Sequence, residues 1–281
     1  MKIVDCHSHS TEYSFDALQT IAELIEDARQ KNLGGVCLTD HYDKDVSYST
    51  GVEVIFDLPE YFDQLESIRG QQKLTDPQLL IGIELGWMPY LTPLYNQIAA
   101  QWPFDSVILS LHMMDDKKDI FLDQSIYDQG INAAYSRALI QMVEMMSSCP
   151  DFNILGHFDY VSRYVPGRPV RMEYHRLAQE FDAVFAYLIA NNKSIELNTR
   201  TALKLSHLGL TGDAIWPDPQ IFQRYLEMGG KLISLSSDAH EVGQAGLLFD
   251  EAVQYLVKLG VTHLTHFVSR QPVLTAITAS K

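Results

Sequence analysis

Cysteine is scarce in this sequence, and long apolar runs are missing. Only three cysteines occur among 281 residues, none in CxxC spacing, which argues against a disulfide framework. Cys6 and Cys37 lie in apolar, strand-like segments and are expected to be small buried hydrophobes. No apolar run approaches the ~20 residues needed to cross a bilayer, and the N-terminus reaches His7 without a signal-peptide hydrophobic region. We therefore expect a cytoplasmic protein with no membrane partner.

Basic residues are also few, since 21 lysines and arginines face 36 acidic residues and the formal net charge is −15. A strongly negative surface repels phosphate backbones, which argues against a sequence-independent nucleic-acid binder. A small anionic substrate is not excluded, because one pocket can be positive on a negative protein. Hydrophobic residues make up 46% of the chain, enough for a substantial core. No low-complexity linker divides the sequence, so we expect a single domain spanning residues 1–281.

Short β-rich segments alternate with amphipathic helical patterns along the chain. The predicted strands are Lys2–Cys6, Gly35–Thr39, Leu79–Glu84, Ser106–Leu111, Asn153–Gly156, Ser194–Asn198 and Lys231–Ser236. The predicted helices cover about Leu18–Ala28, Pro59–Ile68, Tyr90–Ala100, Ala133–Ser147, Tyr174–Ala190, Pro219–Met228 and Gly243–Leu259. Seven such units predict a closed or nearly closed parallel α/β barrel, with a doubly wound open sheet as the alternative. The tail from Thr262 to Ile277 predicts an extra strand at the barrel edge.

Histidines and acidic residues follow the predicted strands. Six of the ten histidines and two carboxylates occupy such positions: His7, His9, His41, Glu84, His112, His157, Asp238 and His240. Residues two apart on an extended chain point to the same side, so both members of the first HxH pair are able to reach one ion. A single histidine after a strand is usually a hydrogen-bonded turn residue. Because the carboxyl ends of all strands in a parallel barrel meet on one face, the joint pattern predicts a metal site.

The chemistry of these ligands predicts a hydrolase. Imidazoles and carboxylates without thiolates suit Zn²⁺, Mn²⁺ or Fe²⁺. One ion needs three or four protein ligands, so eight or nine candidates indicate two to three divalent ions, and Glu84 is suited to bridge a pair. Ions a few ångströms apart activate water and stabilise an in-line displacement at phosphorus.

The ordered motifs resemble the PHP (polymerase and histidinol phosphatase) superfamily. They are HxH after the first strand, TDH after the second, then Glu, His and His, and a final DxH, which together run from Asp5 to His240. The segments IGIELGW and GHFDYVSRY, the length and the strand-like tail are similar to the histidinol-phosphate phosphatases of that superfamily. The resemblance implies a distorted (β/α)7 barrel with a trinuclear metal site.

The resemblance also implies three ligand sets. His7, His9, Glu84 and Asp238 would hold one ion, whereas Glu84, His112 and His157 would hold a second. Asp16, His41 and His240 would hold a third. Relatives often have histidine where this chain has Asp16, although histidinol phosphatases also use aspartate there. The alternative is that Asp16 caps the first helix, with Gln19 completing a capping-box-like pair.

A phosphomonoester substrate needs cationic donors, and arginine presents a planar fork to phosphate oxygens. Arg163, six residues beyond His157, and Arg200, after the sixth strand, match phosphate-binding arginines of the resembling phosphatases. Asn198 and, with less support, Glu196 are expected to reach substrate or to support the site. Asp40 either orients an imidazole or donates a proton to the leaving alkoxide. Aromatic residues expected near the mouth are Tyr13, Tyr42, Tyr48, Trp87 and Tyr164.

These inferences predict a phosphomonoesterase that hydrolyses L-histidinol phosphate, a step of histidine biosynthesis, through hydroxide bridging two ions. Arg163, Arg200 and a third ion would offset the charge on the phosphoryl oxygens. The leaving oxygen would take its proton from Asp40, His240 or a metal-bound water. Two alternatives remain open: the same chemistry on another small phosphomonoester, a phosphotyrosyl group or a nucleic-acid end, and a catalytically silent metal-binding regulatory module.

Overall fold

The backbone consists of short strands joined by helices. The computed structural model describes residues 2–46, 53–115, 118–167 and 169–278. Its strands are β1 (Val4–Ser8), β2 (Gly35–Leu38), β3 (His41–Tyr42), β4 (Gln78–Gly86), β5 (Ser106–Ser110), β6 (Met113–Met114), β7 (Lys118–Asp119), β8 (Ile154–Leu155), β9 (Ser194–Asn198), β10 (Ile233–Ser236), β11 (His263–Val268) and β12 (Gln271–Ala276). The helices are α1 (Ile21–Gln30), α2 (Leu58–Gln71), α3 (Thr92–Gln101), α4 (Ile131–Ser148), α5 (Ala178–Ala190), α6 (Thr199–His207), α7 (Pro219–Glu227) and α8 (Phe249–Lys258).

Seven parallel strands follow one another in the order β1-β2-β4-β5-β8-β9-β10, and β3 pairs with the end of β4. Helices cover the outer face of the sheet, and the main apolar core lies between the two layers. This connectivity brings the carboxyl ends of all seven strands to one rim.

The sheet nearly closes on itself between β1 and β10. The Asp238 amide donates to the His7 carbonyl at 3.0 Å, and the His9 amide donates to the Ala239 carbonyl at 2.9 Å. The Gln19 side chain donates to the His9 and Ala239 carbonyls, both at 3.0 Å, and so bridges the two sides of this seam. The prediction of a nearly closed barrel is therefore confirmed, and the alternative of a doubly wound open sheet is wrong.

The amino end of the barrel is closed by the C-terminal hairpin. β11 and β12 pair antiparallel with each other and form a separate two-stranded sheet, so the expected extra strand at the barrel edge was wrong. Phe267 packs with the inward-facing Cys6, Ile108 and Ile154. The Ser234 hydroxyl donates to the Thr265 carbonyl at 2.9 Å. The packing of Phe267 and this hydrogen bond together hold the hairpin under the barrel.

Helix α1 begins later than the apolar pattern predicted. Thr20 caps it, because its hydroxyl accepts from the Glu23 amide at 3.2 Å while the Glu23 carboxylate accepts from the Thr20 amide at 2.8 Å. Leu18 lies before the cap and is 72% exposed, so its placement on the buried face was wrong. Asp16 is not the cap, which removes the helix-cap alternative for that residue.

Other differences from the predicted elements have local causes. α8 starts six residues after Gly243, since Gly243, Gly246 and Leu248 have positive φ angles of 90°, 64° and 61° that a helix does not accommodate. The predicted helix Tyr174–Ala190 divides into a 3₁₀ turn at Tyr174–Arg176 and α5. α6 was not predicted, although Asn198 supplies its N-cap by accepting from the Arg200 amide at 3.0 Å. Within the described residues, no helix combines the length and the apolar character that spanning a bilayer requires.

Candidate metal centre

The carboxyl rim of the barrel brings the predicted ligands together. His7 lies within β1, Glu84 lies within β4, and His41 begins β3 instead of closing β2. The other predicted ligands follow the ends of their strands, except Asp16, which lies in the segment between β1 and α1. These side chains converge because every second residue of a strand faces the barrel axis.

Glu84 lies at the centre of the cluster, with imidazoles around both of its oxygens. Its Oε2 lies 3.3 Å from His7 Nε2, 3.7 Å from His9 Nε2 and 2.7 Å from His41 Nδ1. Its Oε1 lies 3.2 Å from His112 Nε2 and 2.8 Å from His157 Nε2. A carboxylate in this position is able to bridge two cations.

The donor atoms fall into overlapping groups, within each of which all atoms lie within 4.8 Å of one another. The groups are His7, His9 and Glu84; Glu84, His112 and His157; His9, His41 and His240; and His41, Asp43 and His112. The second group coincides with the second predicted ligand set. Three donors at this spacing are the minimum that a divalent ion needs from a protein.

Two carboxylates complete the other predicted sets. Asp238 Oδ1 lies 3.3 Å from His9 Nε2 and 3.9 Å from His7 Nε2. Asp16 Oδ2 lies 3.2 Å from His240 Nε2, and Asp16 Oδ1 lies 3.8 Å from His41 Nε2. Asp16 therefore lies beside both histidines of its predicted set. The assignment of each residue to an ion stays a prediction.

Unpartnered buried atoms show that the centre suits cations. His7 Nε2, His9 Nε2 and Glu84 Oε2 are fully buried and, despite the short separations given above, have no hydrogen-bond partner of suitable geometry among the described residues. A buried polar atom without a partner costs about 1–3 kcal/mol. A divalent ion among these three atoms would satisfy all of them, so the residues fit the predicted metal site.

The electrostatics of the cluster agree with that interpretation. Burial lowers the pKa of His7, but Glu84, Glu196 and Asp238 outweigh it and hold this pKa well above its ordinary value. Burial opposes ionisation of Asp238, yet His7, His9 and Arg200 hold its pKa well below the ordinary range. The carboxylates around His7 favour a proton on its imidazole. A bound cation would neutralise the same negative charge in place of that proton.

Outer carboxylates orient the imidazoles. His7 Nδ1 donates to Glu196 Oε1 at 2.9 Å, and His112 Nδ1 donates to Asp43 Oδ2 at 2.8 Å. These bonds leave the Nε2 atoms facing the centre, which is the usual arrangement behind metal-binding histidines. Glu196 was expected as a supporting residue. Asp43 was missed, although its position two residues after His41 on an extended segment indicated the same side of the chain.

Asp40 lies behind the centre. It is fully buried and accepts from the Ser10 amide at 2.7 Å, the Ser10 hydroxyl at 3.0 Å and the Ser14 hydroxyl at 2.7 Å. Ser14 also lies 3.2 Å from His9 Nδ1 through its hydroxyl. This geometry favours the supporting role of Asp40 and gives no support to the proton-donor alternative.

A cavity of about 350 Å³ opens over the metal centre. Arg163, Arg200 and Lys204 supply positive charge to its wall, and Lys204 was not predicted. Aromatic and apolar side chains also line it: Phe15, Phe121, Leu122, Tyr160 and Tyr164. The cavity thus combines cationic and apolar walls beside the predicted metal ligands.

The aromatic residues predicted at this mouth were mostly misplaced. Tyr164 lines the cavity, whereas Tyr13, Tyr42 and Trp87 are not among its lining residues, and Tyr48 lies outside the described residues. Tyr160 and Phe121 were missed. Tyr160 follows His157 by three residues, a spacing that one turn of helix brings to the same face.

Asn198 supports the centre from behind. Its side-chain amide donates to Glu196 Oε2 at 3.2 Å and to Asp238 Oδ2 at 3.3 Å, and its carbonyl oxygen caps α6. All three bonds are made to protein groups, and the lining of the cavity does not include Asn198. Of the two expected roles, the geometry favours support over substrate contact.

A nearly closed parallel barrel with buried histidines and carboxylates at its carboxyl rim defines a β/α-barrel protein with a divalent-metal site. Residues 5–200 match the PHP domain family, and the chain belongs to this family. The resemblance inferred from the motifs is thereby confirmed.

Two curated relatives match nearly the whole chain. A histidinol-phosphatase of Lactococcus lactis is 26% identical over 275 residues, which cover 95% of each chain. A probable histidinol-phosphatase of Clostridium acetobutylicum is 26% identical over 253 residues, covering 90% of this chain and 92% of the relative. The crystal structure of the Lactococcus lactis histidinol phosphate phosphatase, complexed with zinc, L-histidinol and phosphate, superposes with a TM-score of 0.82 at 24% identity and covers 97% of this chain and 99% of that one. At this identity the superposition establishes the shared fold.

Proposed function

We propose that the chain is a metal-dependent phosphomonoesterase that hydrolyses L-histidinol phosphate to L-histidinol and phosphate. The observation that carries this proposal is the position of Glu84, between two groups of imidazoles and under a cavity lined by Arg163 and Arg200. The enzyme class predicted from the sequence, a phosphoric monoester hydrolase, is confirmed by the family and by the names of the curated relatives. The substrate is the part that we propose.

The first two ligand sets predicted from the sequence contain donor groups described above, whereas in the third set Asp16 lies beside His41 and His240 without belonging to one of those groups. His7, His9, Glu84 and Asp238 would hold one ion, Glu84, His112 and His157 a second, and Asp16, His41 and His240 a third. When bound, such ions supply an activated water and offset negative charge on the phosphoryl oxygens. Zinc accompanies the Lactococcus lactis enzyme, and imidazole with carboxylate also suits manganese or iron.

The two arginines are the residues that we assign to the phosphoryl group. Arg163 is buried, and its Nη2 has no hydrogen-bond partner among the described residues. Arg200 lines the same cavity, and its guanidinium lies 2.8 Å from the Asp238 carbonyl oxygen through Nη1. Two fixed cations at the cavity wall stabilise charge on the equatorial oxygens without reorganising during the reaction.

The remaining walls exclude water and contact the leaving alcohol. Tyr160 and Tyr164 have ring centroids 5.1 Å apart, and Phe121 lies 5.1 Å from Tyr164. A flat ring such as imidazole packs against aromatic faces of this kind. Asp40 does not line the cavity, and His240 is a predicted metal ligand whose Nδ1 lies 2.8 Å from the Asp238 carbonyl oxygen, so neither side chain is well placed to give the leaving oxygen a proton.

A second candidate substrate is another small phosphomonoester that carries an additional anionic group. Lys204 favours it, because it adds a third cation to the cavity. Among the described residues, the carboxylates that line the cavity are Asp16 and Asp238, both of them predicted ligands. The ammonium group of histidinol phosphate gains nothing from Lys204, whereas a carboxylate or second phosphate would.

The test is phosphate release by the purified protein, with its metal content measured by mass spectrometry. We expect turnover of histidinol phosphate at a higher kcat/KM than that of phosphotyrosine, phosphoserine or glycerol phosphate. Chelation should abolish turnover, and zinc, manganese or iron should restore it. Undiminished turnover in metal-free protein would contradict the mechanism, and a higher kcat/KM on phosphoserine would support the second candidate.

The phosphate-binding role of Arg200 is tested by Arg200→Met. Hydrogen bonds to charged groups contribute about 1.5–3 kcal/mol, so kcat/KM should fall roughly 10-fold to 100-fold. Arg176→Met is the matched control, since the Arg176 side chain is 52% exposed and pairs with Glu173 on the surface. Equal kinetics of the Arg200 variant and this control would remove Arg200 from the site.

A further inference from the structure

The guanidinium of Arg163 is held on three sides. Its Nε donates to the Thr201 hydroxyl at 2.8 Å, and its Nη1 donates to Asp238 Oδ2 at 3.1 Å. The ring of Tyr160 lies 5.0 Å from the central carbon of the guanidinium. Nη2 alone is buried without a hydrogen-bond partner among the described residues. The group is therefore fixed in orientation, and Arg163 lines the cavity.

Thr201 takes its own orientation from Asp159. Its hydroxyl donates to Asp159 Oδ1 at 3.0 Å, and both residues are buried. A hydroxyl has one proton. Because that proton points to Asp159, the lone pairs of the oxygen are directed at Arg163 Nε.

This chain of bonds connects two separate parts of the rim. Asp159 and Arg163 lie on the segment after β8, whereas Thr201 lies in the first turn of α6, after β9. Neither Asp159 nor Thr201 lines the cavity. Their effect on a ligand in the cavity must therefore pass through Arg163.

We propose that Thr201 and Asp159 are positioning residues that hold the Arg163 guanidinium at the cavity wall, where it binds the substrate phosphate. The proposal rests on the proposed function, since it assigns the phosphoryl group to Arg163. The Thr201 hydroxyl fixes the guanidinium plane, and Asp159 fixes the hydroxyl. Preorganisation of this kind spares the arginine the entropy of ordering when phosphate binds.

The experiment compares Thr201→Val, which keeps the shape of the side chain and removes the hydroxyl, with Thr201→Ser, which keeps the hydroxyl. Asp159→Asn keeps the volume of its side chain and removes the charge. Calorimetry measures the affinity of each metal-loaded protein for inorganic phosphate, and kinetics measures KM and kcat separately. We expect Thr201→Val to weaken phosphate binding and raise KM about tenfold, with a smaller change in kcat and unchanged metal content. Thr201→Ser should restore wild-type values, and Asp159→Asn should give an intermediate loss.

A double-mutant cycle separates positioning from a general structural effect. In an Arg163→Met background, Thr201→Val should produce no further loss of phosphate affinity. Additive losses, failure of Thr201→Ser to restore affinity, or wild-type affinity in Thr201→Val would each overturn the proposal. Phosphate affinity is measured without turnover, so a protein that binds phosphate in this pattern but leaves histidinol phosphate intact would contradict only the proposed substrate.

Discussion

Glu84 joins the candidate metal positions into one centre. Its two oxygens lie on opposite sides of the cluster, toward His7, His9 and His41 on one side and toward His112 and His157 on the other. The sequence indicated its importance because it follows a run of buried residues in β4. Its exact neighbours were beyond the sequence, since they depend on the relative rotation of four strands.

We expect Glu84→Gln to lose metal and activity together. The amide keeps the shape of the side chain but removes the charge that lies between the cations. Metal catalysis contributes several kcal/mol, so kcat should fall on the order of 1000-fold at about 1.4 kcal/mol per factor of ten. Metal content per chain and kcat are the measurements.

Glu227→Gln is the control for the Glu84 variant, because the Glu227 side chain is 68% exposed at the end of α7. It makes the same chemical change on the surface. Wild-type metal content and turnover in the Glu84 variant would show that this carboxylate does not bridge the ions.

At the scale of elements, close packing between neighbouring strands fixes the position of Asp43, the carboxylate behind His112. A Cβ atom added at Gly86, near the end of β4, would overlap the Asp43 carboxylate. Asp43 in turn orients His112. The glycine therefore gives Asp43 the room that its contact with His112 requires, a requirement of space that the sequence pattern did not reveal.

Gly86→Ala should weaken metal binding without changing any residue of the cavity lining. Displacing an outer carboxylate typically costs 10-fold to 100-fold in metal affinity or activity. The measurements are a metal titration and kcat of the reconstituted protein.

Gly70→Ala is the matched control, because an added Cβ at this position in α2 meets no atom within 4 Å. It should leave metal affinity unchanged and stabilise the fold by roughly 0.5–1 kcal/mol, since alanine restricts the unfolded chain. Equal metal affinities in the two variants would show that Asp43 tolerates the displacement.

The strand pattern predicted the order and the approximate bounds of all seven barrel strands, because doubly covered strands are continuous apolar segments. The pattern failed where a backbone turn decided the outcome. α8 begins only after Leu248, which has a φ of 61°, and α6 has only two buried apolar residues, Ala202 and Leu205, too few to stand out from a loop. Phe121 reaches the cavity from a turn and Lys204 from the unpredicted helix α6, and neither residue carried a periodic signal.

At the scale of the whole molecule, the two ends of the barrel have separate tasks. Metal ligands occupy the carboxyl rim, whereas Phe267 of the C-terminal hairpin closes the amino end against Cys6, Ile108 and Ile154. The tail was predicted as one strand because its alternating pattern extends over the whole segment. The turn at Ser269 and Arg270, with φ angles of 47° and 67°, divides it into two.

Phe267→Ala should lower stability and leave catalysis intact. Phe267 is 2% exposed, and loss of a buried phenylalanine costs about 3–5 kcal/mol. Urea unfolding should show this loss in the free energy of unfolding, while kcat of the folded fraction stays at the wild-type value.

Leu274→Ala on the same hairpin is the control, since Leu274 is 50% exposed and a surface change of this kind stays within about 0.5 kcal/mol. If Phe267→Ala lowered kcat without lowering the free energy of unfolding, the two ends of the barrel would not be independent.

The seam between β1 and β10 also determines the order in which a growing chain acquires its ligands. The Glu84, His112 and His157 group is complete once the ribosome has released β8 and the residues directly after it. The groups that need Asp238 or His240 must wait for β10, the last barrel strand to be synthesised, to dock beside the first. The predicted ligand sets that contain Asp238 or His240 are therefore the last that synthesis is able to complete.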